Sequence, residues 1–285
     1  MMSNPPTLQD GLGISIVLYR PDLFKLSRTI LHLKEALLEV DRVYRNFEST
    51  LFLIDNSVPP LDSHTLNHLV REHYFGYEHP AHRVVIKRLG KNVGYGAGHN
   101  VAILSHAFKY HLILNPDVYI FRDTLVVFKR YAEEHKDAVL LGPMILSPDG
   151  TLQYLLRRDP TLLDVVLRFI AIFFEPVSRL KRYRRYECRD VDMYSSQVGY
   201  LMSGCCMWCR TDALREIGGF DERFFLYCED HDLSVRLRSV GKVVYLPAAR
   251  VIHDWERVMV RSPGLILTNI RSTVLFFYKW RWKVF

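Results

Sequence analysis

Three acids fall within four residues in the run Leu226-Tyr227-Cys228-Glu229-Asp230-His231-Asp232-Leu233, directly after the aromatic segment Phe220-Asp221-Glu222-Arg223-Phe224-Phe225. Crowded carboxylates repel, and desolvation raises the pKa of at least one of them. That combination prepares a general base. Asp230 is the candidate base and Glu229 its companion, while Asp232 stands one helical turn before Arg236, the spacing of an ion pair. A plainer reading makes all three acids N-terminal helix residues that complement the dipole. It suits Asp232 and explains the aromatic setting of Glu229 and Asp230 poorly. Far upstream, Asp117 closes the apolar run His111-Leu112-Ile113-Leu114-Asn115-Pro116-Asp117. One carboxylate, helped by the neutral oxygen of Asn115 and completed by diphosphate oxygens and water, suits Mg²⁺ or Mn²⁺. The alternative is a simple turn after a strand. Together the two acidic sites point to a metal-bound phosphate leaving group and a base facing it.

Other stretches carry polar groups of the right kind. Asp55-Asn56-Ser57 follows the apolar run Thr50-Leu51-Phe52-Leu53-Ile54 and is also a capping and turn sequence. Gly94, Gly96 and Gly98 lie between Asn92 and Asn100. Glycine lets backbone approach a phosphate or ribose closely, and a helix N-terminus favours anions. Lys91 could neutralise phosphate charge. The segment is not a Walker loop, because no Gly-Lys-Ser/Thr ends it, and its third glycine is misplaced for a dinucleotide fingerprint. A plain strand-to-helix turn remains the alternative. Late in the chain His253 ends Arg250-Val251-Ile252, where it is either a site residue or an ordinary histidine among twelve.

These residues stand at the ends of recognisable elements. Ile14 to Tyr19, Thr50 to Ile54, Arg83 to Arg88, Leu112 to Leu114 and Ala138 to Leu141 read as buried strands. Between them, Leu23, Leu26, Ile30, Leu33 and Leu37 predict a helix, as do Leu61 to Tyr74 and the positions Val101, Leu104 and Phe108. Alternation of this kind predicts a mostly parallel sheet with helices on both faces. Ligands bind such sheets at the C-terminal strand ends. There the chain places Asp55, the glycine-rich segment and Asp117, so residues 1–150 read as a nucleotide-binding half. Beyond Gly150, Arg157 to Asp192 reads as a helix plus an exposed loop and Val198 to Trp208 as a strand. Thr211 to Ile217 and Asp230 to Val240 read as helices, and Val243 to Leu246 and Arg250 to His253 as strands.

The chain has 285 residues, 49% of them apolar, with a formal charge of +7. That is enough for a sizeable core and excludes wholesale disorder. The positive excess fits phosphates, nucleic acid or an anionic membrane face. Met1 to Asp10 lacks the features of a secretory signal. Five cysteines suit a reducing cytosol, and the lone Cys206-Met207-Trp208-Cys209 spacing reads as buried thiols on a strand rather than a zinc site. The apolar run Leu162 to Phe174, cut by Asp164 and Arg168, is too short and charged to span a membrane. Followed by Arg179 to Arg185, it reads either as a membrane-surface helix with a polybasic patch or as a core helix with a solvated basic loop. The aromatic and basic tail from Phe276 to Lys283 has the same character.

In their joint order these motifs resemble the inverting, nucleotide-sugar-dependent glycosyltransferases of family 2, which have the GT-A fold, and among them the bacterial rhamnosyltransferases. The resemblance rests on Ile54 to Ser57, Lys91 to Asn100, Leu114 to Asp117, Ser203-Gly204, Gly218 to Phe225, Glu229 to Asp232 and His253. It implies one GT-A domain over residues 1–265, its acceptor half in 151–265, and a helical tail in 266–285. It further implies that Asp55 accepts from the nucleobase N–H, that Tyr19, Lys91, Asn92, Gly94, Gly98 and Asn115 line the nucleotide, that Asp117 and His253 face a metal ion, and that Asp230 takes a proton from the acceptor. Asn115-Pro116-Asp117 departs from the family's Asp-x-Asp and leaves one carboxylate for the metal. The implied donor is dTDP-L-rhamnose, with a UDP- or GDP-hexose as the alternative. A glycan or lipid-linked glycan is the implied acceptor, in the cytoplasm at the inner membrane face. A nucleotidyltransferase would need a basic glycine-rich loop after the first strand, where Tyr19-Arg20-Pro21-Asp22 stands instead. A nucleic-acid-binding protein built on the Arg179 patch would leave Asp55, Asp117 and Asp230 without a task, so no nucleic-acid partner is expected.

Overall fold

A computed structural model describes residues 8–75, 79–255 and 262–281. The chain opens with β1 (Gln9–Leu18), α1 (Leu23–Val43), β2 (Glu48–Asp55), α2 (Ser63–His73), β3 (His82–Arg88), α3 (Tyr95–Ile103) and β4 (Phe108–Leu114). The β1 residues from Gly11 onward are all buried, as expected of a strand covered on both faces. Asp22 starts α1 by accepting from the backbone N–H groups of Phe24 and Lys25. Leu26, Ile30, Leu33, Leu37 and Val40 then form its buried stripe. Strands β3, β2, β1 and β4 pair in parallel, in that order. Their C-terminal ends therefore share one edge.

The second half is mixed. It contains β5 (Val118–Ile120), α4 (Thr124–Glu134), β6 (Ala138–Leu146), α5 (Leu162–Phe173), a 3-10 turn (Glu175–Arg179), α6 (Lys181–Tyr186) and β7 (Gln197–Val198). Then follow β8 (Cys206–Arg210), α7 (Thr211–Glu216), α8 (Glu229–Leu237), β9 (Lys242–His253) and α9 (Pro263–Trp280). The sheet runs β3-β2-β1-β4-β8-β6-β9-β5, with β7 also on β9. Strand β8 enters antiparallel between β4 and β6, and β5 pairs antiparallel with β9. The parallel order expected from the alternating pattern therefore holds for the first four strands and for β6 with β9.

Period-two alternation on β8 divides the core. Cys206 and Trp208 join the apolar cluster that includes α1, α2 and α4, whereas Met207 and Cys209 join the cluster with α7 and α8. Two cysteines three residues apart thus face opposite sides of the sheet, which explains why this spacing forms neither a disulfide nor a metal pair.

Several boundaries differ from the sequence expectation. The helix expected around Val101 to Phe108 begins earlier, within the glycine-rich segment, and Phe108 instead opens β4. Val198 to Trp208 is interrupted, with residues 199–205 linking β7 to β8 and only Leu201 bridged, to Arg157. The two late strands are one, β9, whose pairing with β6 slips between Leu246 and Arg250. The basic cluster after Arg179 is partly helical, because Tyr183 and Tyr186 on α6 are buried. Residues 282–285 of the aromatic tail lie outside the described residues.

Candidate active site

Asp117 and His253 meet because of strand register. Asp117 precedes β5, and its neighbour Val118 pairs with His253 at the end of β9. The Asp254 N–H also donates to the Asp117 carbonyl at 2.9 Å. His253 Nε2 lies 3.6 Å from Asp117 Oδ1, an ion-pair distance too long for a hydrogen bond. Asp117 Oδ1 and both ring nitrogens of His253 are buried without a hydrogen-bond partner. Burial disfavours a charged His253, but the Cys205 sulfur and the Asp117 carboxylate outweigh it and push the ring up to about 10, so a cation binding here would have to displace the ring proton. Orphaned oxygen and nitrogen ligands facing each other fit a divalent cation, the donor set being one carboxylate and one imidazole. Among the described residues no group of three or more His, Cys, Asp or Glu stands ready to hold a metal. Diphosphate oxygens and waters would supply the other ligands, as Mg²⁺ and Mn²⁺ accept.

The candidate nucleotide residues follow the parallel strands at the same sheet edge. Asp55 closes β2 and is fully buried. Its two oxygens accept from the N–H groups of Ser57 at 2.9 Å and Leu61 at 2.7 Å, so it shapes the turn after the strand. Each oxygen keeps further acceptor capacity. Tyr19 follows β1 and is half exposed, with the Arg20 guanidinium 5.7 Å from its ring centre. Lys91 is exposed on the loop after β3. Asn92 Oδ1 accepts from the Gly94 N–H at 3.0 Å, and Asn56 Nδ2 donates to the Gly94 carbonyl at 2.9 Å.

Two glycines of this segment have explanations in packing. Gly94 has φ +93°, and a Cβ there would lie 2.4 Å from the Phe225 carbonyl oxygen. A Cβ on Gly98 would lie 2.8 Å from a Val17 methyl of β1. Gly94 thus lets the glycine-rich loop touch the segment that leads to Asp230.

The acids of α8 occupy different environments. Tyr227 and Cys228 both adopt left-handed φ, 70° and 64°, just before the helix begins at Glu229. Consecutive non-glycine residues of this kind store strain of roughly 1–3 kcal/mol each and occur where surrounding structure fixes them. Asp230 Oδ2 accepts from the Gly204 N–H at 2.9 Å, and Oδ1 from the His231 N–H at 2.8 Å. Glu229 is buried, and its Oε2 has no partner. Burial, then the neighbouring Asp230 charge, pushes Glu229 well above the usual carboxylate range. Fully buried Asp232 is structural, bound to Arg236 at 2.7 Å, Lys279 at 2.7 Å and the Trp280 indole N–H at 2.9 Å. Lys279 and Trp280 bring α9 onto α8, and Ser272 adds a hydrogen bond to the Leu226 carbonyl at 2.7 Å.

Tyr95 unites the site, and sequence reasoning assigned it no role. Its N–H donates to the Phe225 carbonyl at 2.9 Å. The hydroxyl lies 2.9 Å from Asn115 Oδ1 and 2.7 Å from the Gly204 carbonyl, whose own residue holds Asp230. Burial raises the Tyr95 pKa far above its ordinary value, and Glu229, Cys205, Asp230 and Asp117 raise it further. The charges of Glu229, Asp230 and Asp117 therefore all bear on one phenol. Behind it, His99 meets the Tyr95 ring edge-on at 4.4 Å. Burial brings His99 down to about 3, so it is neutral and hydrogen-bonded through Ser15 to His111. The available signal for Tyr95 was an aromatic residue inside a glycine-rich segment.

No family model matches the chain. The fold is that of GT-A proteins. S. aureus TarS superposes with TM-score 0.51 at 18% identity, over 85% of this chain and 60% of that one. GalNAc-T7, solved with UDP, GalNAc and Mn²⁺, superposes with TM-score 0.56 at 14% identity, over 87% and 44%. In sequence the chain is rhamnosyltransferase-like. It is 31% identical over 200 residues to the N-acetylglucosaminyl-diphospho-decaprenol L-rhamnosyltransferase of Mycobacterium tuberculosis, covering 66% of this chain and 64% of the relative. It is also 31% identical over 170 residues to the rhamnosyltransferase WbbL of Escherichia coli K12, covering 56% and 61%. The chain thus spans less than two thirds of the length of these relatives.

Proposed function

We propose that the chain is an inverting glycosyltransferase that moves L-rhamnose from dTDP-L-rhamnose to a lipid-linked glycan in cell-surface polysaccharide synthesis. The observation that carries this reading is the Tyr95 bridge, which joins Asn115, beside Asp117, to Gly204, which holds Asp230. One side chain thereby ties the donor-side segment of Asp117 to the loop that holds Asp230. The two rhamnosyltransferase relatives support the sugar, and the diphospho-decaprenol in the mycobacterial relative's name supports the acceptor class.

In this mechanism Asp55 and the residues of the adjoining edge, Tyr19, Lys91 and Asn92, bind the nucleotide. Asp117 and His253 would hold a divalent ion, which would supply charge neutralisation for the diphosphate. Asp230 removes the proton from the acceptor hydroxyl as its oxygen attacks the anomeric carbon. The bond from that carbon to the diphosphate oxygen breaks on the opposite face, so configuration inverts. The backbone N–H groups of Gly204 and His231 hold the carboxylate ready for the proton. Glu229, protonated because it is buried beside Asp230, orients the acceptor without adding a second negative charge.

UDP-sugar donors are the second reading, supported by solved neighbours bound to UDP and UDP-GlcNAc. Thermal-shift titration with dTDP-, UDP- and GDP-sugars, with and without Mn²⁺, tests both. dTDP-L-rhamnose should raise the melting point most, and only with the metal, because a ligand specific to the folded form stabilises it. Asp117→Ala should abolish the metal-dependent part. A Mn²⁺-dependent shift in that variant as large as in wild type would remove Asp117 from the site.

A further inference from the structure

Helix α9 presents an apolar stripe to solvent. Leu267, Ile270, Val274 and Tyr278 are 68, 45, 50 and 77% exposed, and their spacing keeps them on one helical face. Exposed Arg271 lies along that face, and exposed Arg281 directly follows the helix. The opposite face carries buried Ser272 and Phe276, and Phe277 is buried at the stripe's margin. A second exposed stripe lies on α5, where Val166 and Ile170 are 43% exposed, followed by Phe174 at 58% and Leu180 at 46%. Directly after it stand exposed Arg179, Lys181, Arg184 and Arg185. Arg182 fastens this basic helix to the first turn of α5 through Asp164 at 2.8 Å and Thr161 at 2.8 Å.

Helix α9 leans on the turn that launches α8, and a charge of α5 reaches it. From α9, Ser272 binds the Leu226 carbonyl, Thr273 Oγ1 lies 3.9 Å from Cys228 Sγ, and Phe276 meets the His231 ring edge-on at 6.3 Å. From α5, the Arg168 charge bears on Tyr227, Cys228 and His231. No described helix is long and apolar enough to cross a membrane. Apolar side chains alternating with arginine on an amphipathic helix are the pattern of a helix lying in a lipid interface.

We propose that α9 and the α5–α6 segment form a docking surface for an anionic phospholipid bilayer, and that docking seats the Tyr227–Asp230 turn beside lipid headgroups. The occupant is a lipid surface because the stripes combine exposed apolar side chains with an excess of exposed cations, Glu175 alone offsetting Arg179 at 3.2 Å among the described exposed residues of these segments. A protein groove would need no such excess. The proposal rests on the reading of the acceptor as lipid-linked, since only then does a membrane-facing base have a use. Headgroup attraction adds about a tenfold or smaller factor in partitioning per basic residue near the surface.

The test is vesicle co-sedimentation of the full chain, using phosphatidylglycerol mixed with phosphatidylcholine, and phosphatidylcholine alone. Wild type should bind the anionic vesicles and release in high salt. The triple variant Leu267→Ser, Ile270→Ser, Val274→Ser should lose at least tenfold in partitioning, as should Lys181→Ser, Arg184→Ser, Arg185→Ser. These positions are exposed, so unchanged melting and unchanged nucleotide-induced thermal shift should show that both variants fold. Equal binding to neutral vesicles, or unaltered binding by either variant, would overturn the docking surface. So would a wild-type dimer that the α9 variant turns into a monomer, because a second copy would then be the occupant. Failure of the underlying reading looks different: vesicle binding would behave as expected while no nucleotide-sugar shifted the melting point.

Discussion

Replacing Asp230 by Asn isolates the proposed base with little change of shape. Both carboxylate oxygens accept from backbone, at 2.9 Å from the Gly204 N–H and 2.8 Å from the His231 N–H. An amide offers one oxygen, and its NH₂ must then face a second donor. The loss of one hydrogen bond to a charged group costs about 1.5–3 kcal/mol. For a chain of this size that corresponds to a melting-point fall of roughly 3–5 °C. The rate effect should be larger, because general-base catalysis contributes about 10²–10⁴-fold. Transfer is measured with saturating donor, and nucleotide affinity separately by calorimetry. The expected outcome is a rate lower by that factor with donor affinity within about threefold of wild type, since the nucleotide residues lie on other elements. A rate within about tenfold of wild type would refute Asp230 as the base. A fall in donor affinity that matched the fall in rate would refute the separation of donor and acceptor sides.

Further outcomes follow from the same geometry. Glu229→Gln should raise the melting point at pH 8 and leave it unchanged near pH 4.5. The folded pKa of Glu229 lies well above the ordinary 4.5, so wild type loses stability as pH rises from the unfolded value through the folded one, and a neutral amide escapes that loss. A higher wild-type melting point at pH 8 would reverse the assignment. Tyr95→Phe should lower the transfer rate about tenfold, through a misplaced Gly204 and Asp230, at a stability cost of about 1 kcal/mol; unchanged turnover would leave the bridge without a catalytic consequence. Gly94→Ala should cost about 2–4 kcal/mol in denaturant unfolding, because the new Cβ meets the Phe225 carbonyl oxygen at 2.4 Å with φ at +93°. A neutral substitution would mean that this contact relaxes freely.

Much of the donor half was legible because its signals are local. Ile14 to Leu18, Leu51 to Ile54 and Leu112 to Leu114 are short apolar runs that end in polar residues, and parallel pairing carries those ends to one edge. The glycine-rich segment was less legible. Glycine disfavours helix by about 1 kcal/mol relative to alanine, yet α3 begins inside it. The helix is held by contacts invisible in the local pattern, with Gly96 against Phe220, Gly98 against Val17 and the Tyr95 N–H on Phe225. Strand β5 was missed because three residues carry too little period-two signal to identify.

The residue types of Asp55, Asp117, Glu229 and Asp230, and the elements they terminate, can be read from the order of amino acids, because capping, turn chemistry and hydrophobic period depend on near neighbours. Whether His253 stands beside Asp117 is a question of antiparallel register between β5 and β9, which no local spacing encodes. The same holds for the division of labour on α8. Sequence crowding implied one raised carboxyl without saying which. Three-dimensional burial selects Glu229, since its Oε2 has no partner, whereas backbone N–H groups meet both oxygens of Asp230. Desolvation depends on everything packed around a group, and that is assembled only when distant segments fold together.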